Sequence, residues 1–191
     1  MADEKDPLDD FLNDEGDSEW EDDDEKDFFD EMEFEDEDEA EEWKEEKKRM
    51  NAYRDMPVFK KAWMIGELTR RLVESFDEEK DQLHVGEQMI SNAYMLGVKI
   101  SGAEAADLYS LRMENAVIIK MSARELMAET SLCKAEKLAD PKHLQLLRDE
   151  LDEFRKLFNA WIKSFDPEND IADDWAIGFS YREVDKNKKD L

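Results

Sequence analysis

Side chains that commonly carry chemistry are scarce in this 191-residue chain, which has two histidines, His84 and His143, and one cysteine, Cys133. Metal sites in helical proteins use repeated spacings such as H-E-x-x-H or paired E-x-x-H motifs. Neither histidine stands in such a motif, so we predict no metal site. A lone cysteine in a helical stretch is more typical of a small buried residue than of a nucleophile.

Other catalytic signatures are also missing from the sequence. It contains no glycine-rich phosphate loop, no Ser-His-Asp set and no dinucleotide fingerprint. We therefore predict no catalytic residues, no cofactor and no enzymatic activity. One cysteine excludes an internal disulfide framework, which fits a reducing, cytoplasmic location. No apolar run approaches the ~18 residues of a membrane span, so no membrane partner is predicted.

Charge divides the chain into two parts. Residues 1–43 hold 25 Asp and Glu against two Lys, a net of −23, so the remainder carries only −4 of the total −27. Self-repulsion on this scale favours disorder, and we predict a disordered acidic arm over residues 1–48. Phosphate contacts need surplus Lys and Arg, so nucleic acid could bind only through the body of the chain.

The acidic arm also carries large apolar side chains. We predict that six aromatic residues bind a partner: Phe11, Trp20, Phe28, Phe29, Phe34 and Trp43. Alternating acidic and hydrophobic residues are typical of segments that stay solvated until a partner offers an apolar groove with a basic rim. The arm is either a solubilising tail or a docking segment. As a docking segment it would meet a basic partner protein or a basic groove on its own body.

The clearest pattern of the body lies toward the C-terminal end. Asp140 followed by Pro141 predicts a helix start, with aspartate as the cap and proline at the first helical position. Seven apolar residues then recur at spacings of three and four: Leu144, Leu147, Leu151, Phe154, Phe158, Trp161 and Phe165. This heptad pattern predicts a helix with one buried face, which Asp166-Pro167 ends.

A first helix is predicted to begin near Asp55 and Pro57. Its apolar stripe is Val58, Ala62, Ile65, Leu68, Leu72 and Phe76, widened by Phe59 and Trp63. Four basic residues lie elsewhere around this helix and form a candidate basic surface: Lys60, Lys61, Arg70 and Arg71. Such a surface could bind RNA in a salt-dependent way.

The middle segment, residues 82–138, contains no proline and has a helical pattern throughout. A single helix of that length would be unusual in a globular domain. Ser101 and Glu104 match the S-x-x-E capping box that starts many helices. We therefore predict one helix over about 83–100 and another over about 102–137, with a single kinked helix as the alternative.

The third predicted helix has more apolar side chains than one buried face needs. If Ile118, Ile119, Met121 and Met64 lie outside the interior of the bundle, self-association would cover them. The polar residues of this helix either pair with one another and with solvent or form buried and inter-subunit hydrogen bonds. We predict a homo-oligomer.

Three short stretches of the body carry a resemblance: Phe59-Lys60-Lys61-Ala62, Gln88-Met89-Ile90-Ser91-Asn92-Ala93 and Ser122-Ala123-Arg124-Glu125-Leu126. Over about residues 55–166 the chain resembles the bacterial four-helix-bundle proteins encoded in ribosomal-RNA intervening sequences and the accessory proteins of diversity-generating retroelements. The resemblance implies an up-down bundle, often a ring-shaped homo-oligomer, without known catalytic activity. It also implies that RNA could bind through basic surfaces, as in some relatives.

Together these patterns predict an all-α protein. An antiparallel up-down four-helix bundle over 55–166 follows the disordered acidic arm, and an extended strap and tail over 167–191 follow the bundle. We predict a non-catalytic binding or scaffold protein whose arm docks a protein partner with a basic or apolar groove. The alternative is an RNA- or retroelement-associated bundle whose basic surface is gated by its own acidic arm.

Overall fold

A computed structural model describes residues 51–77, 79–106 and 108–171, together with Glu41, Glu45 and Lys48. The chain divides into two units after Ala52, and the helices named here belong to the second unit, Tyr53–Leu191. They are α1, Pro57–Glu74; α2, Val85–Ala106; α3, Tyr109–Glu136; and α4, Pro141–Ile162. Apart from the three isolated residues, the predicted arm and its six aromatic residues lie outside the described residues.

The fourth helix follows its predicted pattern closely. Asp140 caps α4 by accepting a hydrogen bond from the Lys142 backbone N–H at 2.8 Å, and Pro141 occupies the first turn. All seven residues of the predicted heptad stripe are buried. Phe165 stays buried although α4 ends at Ile162, and its ring packs edge-on against Trp161 with the ring centres 4.7 Å apart.

The first helix also begins where proline predicts. Pro57 lies in the first turn of α1, after an extended Met56. The predicted stripe is buried from Val58 to Leu72, whereas Phe76, beyond the helix end, is only half-buried. Phe59 belongs to the core, but Trp63 is exposed and packs edge-on against Tyr94 of α2.

The boundary between the second and third helices differs from the predicted one. Helix α2 continues through Ser101 and Glu104, and α3 begins at Tyr109 after an extended Leu108 with φ −97° and ψ 136°. The prediction of a helix start at Ser101 was therefore wrong. The alternative of one continuous helix is also wrong, because the two helices are separate.

The cause of this difference is a buried stripe that passes straight through the predicted break. Six apolar residues of α2, spaced three or four apart, are at most 2% exposed: Val85, Met89, Ala93, Leu96, Ile100 and Ala103. A break at Ser101 would withdraw Ile100 and Ala103 from the core. Burying such side chains contributes more than the ~1 kcal/mol of a helix cap.

Contacts between α1 and α2 show that these two helices run in opposite directions. The Cβ position of Gly97 lies 3.7 Å from the Phe59 ring, and that of Gly66 lies 3.2 Å from the Tyr94 ring. Residue numbers therefore rise along α1 as they fall along α2. At the corner between them, the Asp81 carboxylate accepts hydrogen bonds from the first backbone N–H groups of α2.

The remaining helix pairs are antiparallel as well. Between α2 and α3, Asn92 bonds Glu129 and Glu104 bonds Arg112. Between α3 and α4, Arg148 donates to the Thr130 hydroxyl at 2.8 Å near one end. Between α4 and α1, Lys61 and Glu150 form an ion pair at 2.7 Å. The described residues thus form the predicted antiparallel four-helix bundle, with each helix packed against two neighbours.

Candidate functional site

The outer side of α2 carries a stripe without charged residues. Its members follow a three-and-four spacing, so they share one face of the helix: Ser91, Met95, Val98, Gly102 and Ala105. Met95 is half-buried and the other four are exposed, Val98 with 62% of its surface in solvent. This stripe is opposite the one that fills the core, so α2 is apolar or small on both sides.

The outer side of α3 carries a second stripe. Ile118, Met121, Glu125, Ala128 and Leu132 recur at spacings of three and four, and all are exposed. Val117 lies beside them, 53% exposed. Five of the eight large apolar side chains exposed in the described residues lie on the two stripes or directly beside them: Val98, Val117, Ile118, Met121 and Leu132. Exposed apolar surface is therefore concentrated on this side of the bundle.

The two stripes form one continuous surface, which we call the α2–α3 face. The Cβ position of Gly102 lies 3.7 Å from Asn115 Oδ1, so the α2 stripe borders α3. Ile118 and Leu132 each follow by three residues a side chain of α3 directed at α2, namely Asn115 and Glu129. The apolar side chains of α3 therefore flank the seam with α2.

Few charges interrupt the α2–α3 face. Glu125 lies within the α3 stripe, Glu114 lies one turn before Ile118, and Lys99 is half-buried near the seam. Lys120 and Arg124 are exposed along the α4 side of the stripe. Apart from Glu125, the charges lie toward the edges of the face and nearly balance one another, which is compatible with a protein-binding surface.

One half-buried carboxylate, that of Glu129, lies at the seam between α2 and α3. Asn92 donates a hydrogen bond to Glu129 Oε1 at 2.9 Å, while Glu129 Oε2 is buried without a hydrogen-bond partner in the described part of the chain. Burial and the nearby Glu125 charge raise the pKa of Glu129, and the Asn92 hydrogen bond offsets part of the rise. Ionisation of Glu129 therefore costs more free energy in the folded protein than in water.

A polar junction joins three helices at one end of the bundle. Glu104 of α2 accepts hydrogen bonds from Trp161 Nε1 at 2.8 Å and from the Arg112 guanidinium at 2.7 Å. The same guanidinium lies 5.1 Å from the centre of the Phe165 ring. Both carboxylate oxygens of Glu104 are thus used in packing contacts, which gives this residue a structural role.

The chain beyond α4 packs against the turn between α2 and α3. The Tyr109 backbone N–H donates to the Asn169 carbonyl at 2.9 Å, and the Ser110 hydroxyl donates to Asp170 at 2.7 Å. Residues 167–169 form a turn, and the extended strap predicted over 167–191 stays a prediction. The rest of that segment, from residue 172, lies outside the described residues.

A second polar cluster joins α1 to α2. Tyr94 donates to Glu67 at 2.6 Å, and Arg70 also donates to Glu67. Burial alone would raise the pKa of Glu67, but the hydrogen bonds from Tyr94 and Arg70 bring it below the ordinary value. Burial and the Glu67 carboxylate raise the pKa of Tyr94 to about 12, so this phenol stays protonated and serves as a fixed donor.

The four residues of the predicted basic surface do not share one side of α1. Residues nine apart on a helix differ by about 180° in direction, which places Lys61 and Arg70 on opposite sides. Lys61 pairs with Glu150 of α4, whereas Arg70 pairs with Glu67 and Glu74.

The other two cations of that set are also distant from each other along the helix. Lys60 is exposed and lies 3.4 Å from Asp55, and Arg71 is half-buried near the far end of α1. Lys60, Lys61 and Arg70 are thus engaged with nearby carboxylates. RNA binding through these residues stays a prediction.

The residues singled out for chemistry lie apart from one another. Cys133 is buried in α3, as predicted, with its thiol 3.3 Å from the sulfur of Met89. Burial raises the pKa of Cys133 to about 12, which suppresses the reactive thiolate. His84 is exposed in the turn before α2, and His143 is half-buried in the first turn of α4. No group of three or more potential metal ligands clusters in the described ranges.

None of the helices in the described residues combines the length and the apolar character that crossing a bilayer requires. No model of a known protein family and no curated protein matches the chain. The resemblance to the intervening-sequence proteins therefore stays a prediction.

Only the α3 part of the α2–α3 face was predicted from the sequence. Ile118 and Met121 were predicted as candidates for exposure and are exposed, but Ile119 is fully buried and Met64 is half-buried. The α2 half was missed because the predicted break at Ser101 cut its stripe in two. The signal that could have revealed it is the uncharged three-and-four series from Ser91 to Ala105.

Proposed function

We propose that this chain is a non-catalytic binding protein whose acidic–aromatic arm docks a protein partner with a basic groove. The observation that carries this proposal is the segregation of charge: −23 in residues 1–43 against −4 in the remainder. A dense acidic segment attracts basic partners over distances up to about a Debye length, ~8 Å at physiological salt. Its six aromatic residues would supply the apolar contacts that give such docking specificity.

The ion pairs of the bundle support an external partner over a basic groove on the chain's own body. Lys61, Arg70 and Arg112 already face carboxylates of neighbouring turns or helices at 2.7–3.0 Å. Lys60 pairs locally with Asp55, and Lys156 pairs with Glu153. An arm folding back would have to compete with these carboxylates, whereas a separate basic protein would bring its own cations.

Polar groups at the helix seams of the bundle are used in packing: Glu104 holds Trp161 and Arg112, and Arg148 holds Thr130. We therefore assign recognition to the arm and to surfaces of the bundle rather than to a catalytic pocket.

Binding of defined peptides to the full chain tests the proposal. One peptide is an amphipathic basic helix, and the other contains only lysine at the same net charge. We expect the wild-type chain to bind the amphipathic peptide about tenfold more tightly, a difference of about 1.4 kcal/mol. Replacing Phe28, Phe29 and Phe34 by serine keeps every charge and should remove that preference.

Trp63→Ser is the matched control, since it removes an exposed aromatic side chain from the bundle instead. This variant should retain the wild-type preference. If the triple serine variant also retained it, the aromatic residues would have no part in docking and the proposal would fail.

A further inference from the structure

We infer that the α2–α3 face is an interface with a second copy of this chain. The inference is independent of the proposed role of the arm, because it rests on the bundle alone. Two adjacent stripes at heptad-like spacing, one on α2 and one on α3, lie on the outside of a bundle whose core is already filled. Met121 and Val98, near the middle of the stripes, expose more than half of their surfaces.

The charges of the face favour a second copy over other occupants. Glu114 and Glu125 are roughly balanced by Lys99, Lys120 and Arg124. Nucleic acid and anionic membranes need a surplus of cations, and so does the acidic arm of this chain with its −23. A near-neutral apolar face is complementary to another of the same kind, and a second copy supplies one in a two-fold arrangement.

The area of the α2–α3 face determines how tightly two copies are expected to bind each other. Two helices about 10 Å apart present a surface about 20 Å across, and 15 residues of helix span about 22 Å. Two copies would therefore bury roughly 900 Å² in flat projection, which is below the ~1,200 Å² of standard specific interfaces and in the range of weak, transient ones. This area predicts a reversible dimer with a dissociation constant on the order of micromolar.

Sedimentation of the full chain tests the inference. At about 200 µM protein and high salt, which screens repulsion between the acidic arms, we expect a species of twice the chain mass. The double variant Val98→Glu/Met121→Glu places a charge on each stripe and should weaken dimerisation by at least about tenfold.

The matched control is Leu83→Glu/Ile171→Glu. These residues are 60% and 65% exposed, close to the 62% and 56% of Val98 and Met121, but they belong to neither stripe. This variant adds the same charge and should dimerise as the wild type does. Circular dichroism should show unchanged helix content in both variants, since none of the four side chains is buried.

Cross-linking provides a second readout that does not depend on weakening the dimer. Cys133 is buried, so a cysteine introduced at Val98 would be the reactive thiol of the described residues. With a flexible bis-maleimide, Val98→Cys should give covalent dimers, and Leu83→Cys should give few. A wild-type chain that stays monomeric under these conditions would overturn the inference. A dimer that Val98→Glu/Met121→Glu leaves unchanged would overturn it as well.

Discussion

The two oxygens of Glu129 have different surroundings although they belong to one carboxylate. Oε1 accepts the Asn92 hydrogen bond, and Oε2 is buried without such a partner in the described structure. A buried acceptor left without a donor costs free energy, and protonation of the carboxylate relieves part of that cost. The α2–α3 seam therefore contains a group that weakens the bundle when it is ionised.

Glu129→Gln should stabilise the bundle at neutral pH by about 0.5 kcal/mol, a small effect because water screens a half-buried group. Since the pKa of Glu129 is raised, the wild-type carboxyl favours the folded state while protonated and loses that advantage as pH rises through the raised pKa. The gain of the variant should therefore grow between pH 4 and pH 7. Urea unfolding across this range measures it.

Glu114→Gln is the control, because Glu114 is exposed on the same helix. Its effect should be much smaller and should change little with pH. A gain for Glu129→Gln that is equal at pH 4 and pH 7 would contradict the account of a buried, ionised carboxylate.

Residue roles could be predicted from the sequence only where the residue type decides them. Burial of Cys133 followed from its type and its helical context. The difference between Glu125 and Glu129 did not, because both are glutamates of one helix and only the position of α2 determines which one is buried. The polar contacts of Glu104 were missed for the same reason, since Trp161 lies 57 residues away.

Helix ends show where local signals decide the structure and where packing overrides them. Asp140 and Ser101 both looked like helix caps in the sequence. Asp140 caps α4, whereas Ser101 lies inside α2 between the buried residues Ile100 and Ala103. The boundaries of α1 and α4 were therefore predictable, because proline and the apolar stripe agree there, and the boundary between α2 and α3 was not.

A pair of alanine substitutions tests this assignment. Asp140→Ala should destabilise the bundle by about 1 kcal/mol, because the first turn of α4 loses its cap. Ser101→Ala should be neutral or stabilising by up to about 0.5 kcal/mol, because alanine is the better residue inside a helix. Denaturant unfolding compares both with the wild type. Equal losses would place a helix start at Ser101 after all.

The junction at Glu104 is the clearest case of three elements held by one side chain. Glu104→Ala should cost about 2 kcal/mol, because Trp161 Nε1 and the Arg112 guanidinium would lose their acceptor in a largely buried setting. Glu87→Ala on the same helix removes an exposed carboxylate and should change stability by less than about 0.5 kcal/mol. Thermal unfolding followed by circular dichroism measures both. Similar effects of the two substitutions would rule out a structural role for the junction.

At the scale of the whole molecule, charge and apolar pattern act on different parts of the chain. The buried stripes of α1 and α4 were recognisable in the sequence, and the fold class could be predicted from them together with the helical pattern of residues 82–138. The charge distribution predicted a division between the arm and the body, but it could not predict which outer surface of the bundle is apolar. That information requires knowing which side of each helix the core uses.

Salt should affect the two proposed interactions in opposite directions. Docking of a basic peptide by the arm should weaken between about 50 and 500 mM salt, because the attraction of opposite charges is screened. Association of two copies should strengthen over the same range, because two chains of −27 each repel at low salt. Peptide titration and sedimentation at matched salt concentrations measure the two trends. If both trends had the same sign, one interaction would have been assigned the wrong surface.

The corner formed by Asp81 also bears on how relatives of this chain could be recognised. Both oxygens of that carboxylate hold backbone N–H groups, at Val85 and at Gly86, and a methyl group at position 86 would approach Val73 Cγ1 to 2.6 Å. Substitution of Asp81 would remove the acceptor of both N–H groups, and substitution of Gly86 would create a steric clash. Along the buried stripes, by contrast, one aliphatic residue can replace another. An aspartate five residues before a glycine should thus be retained in divergent sequences in which the apolar core residues have been exchanged for one another. This pair would identify relatives more specifically than a heptad pattern, which unrelated helical bundles also have.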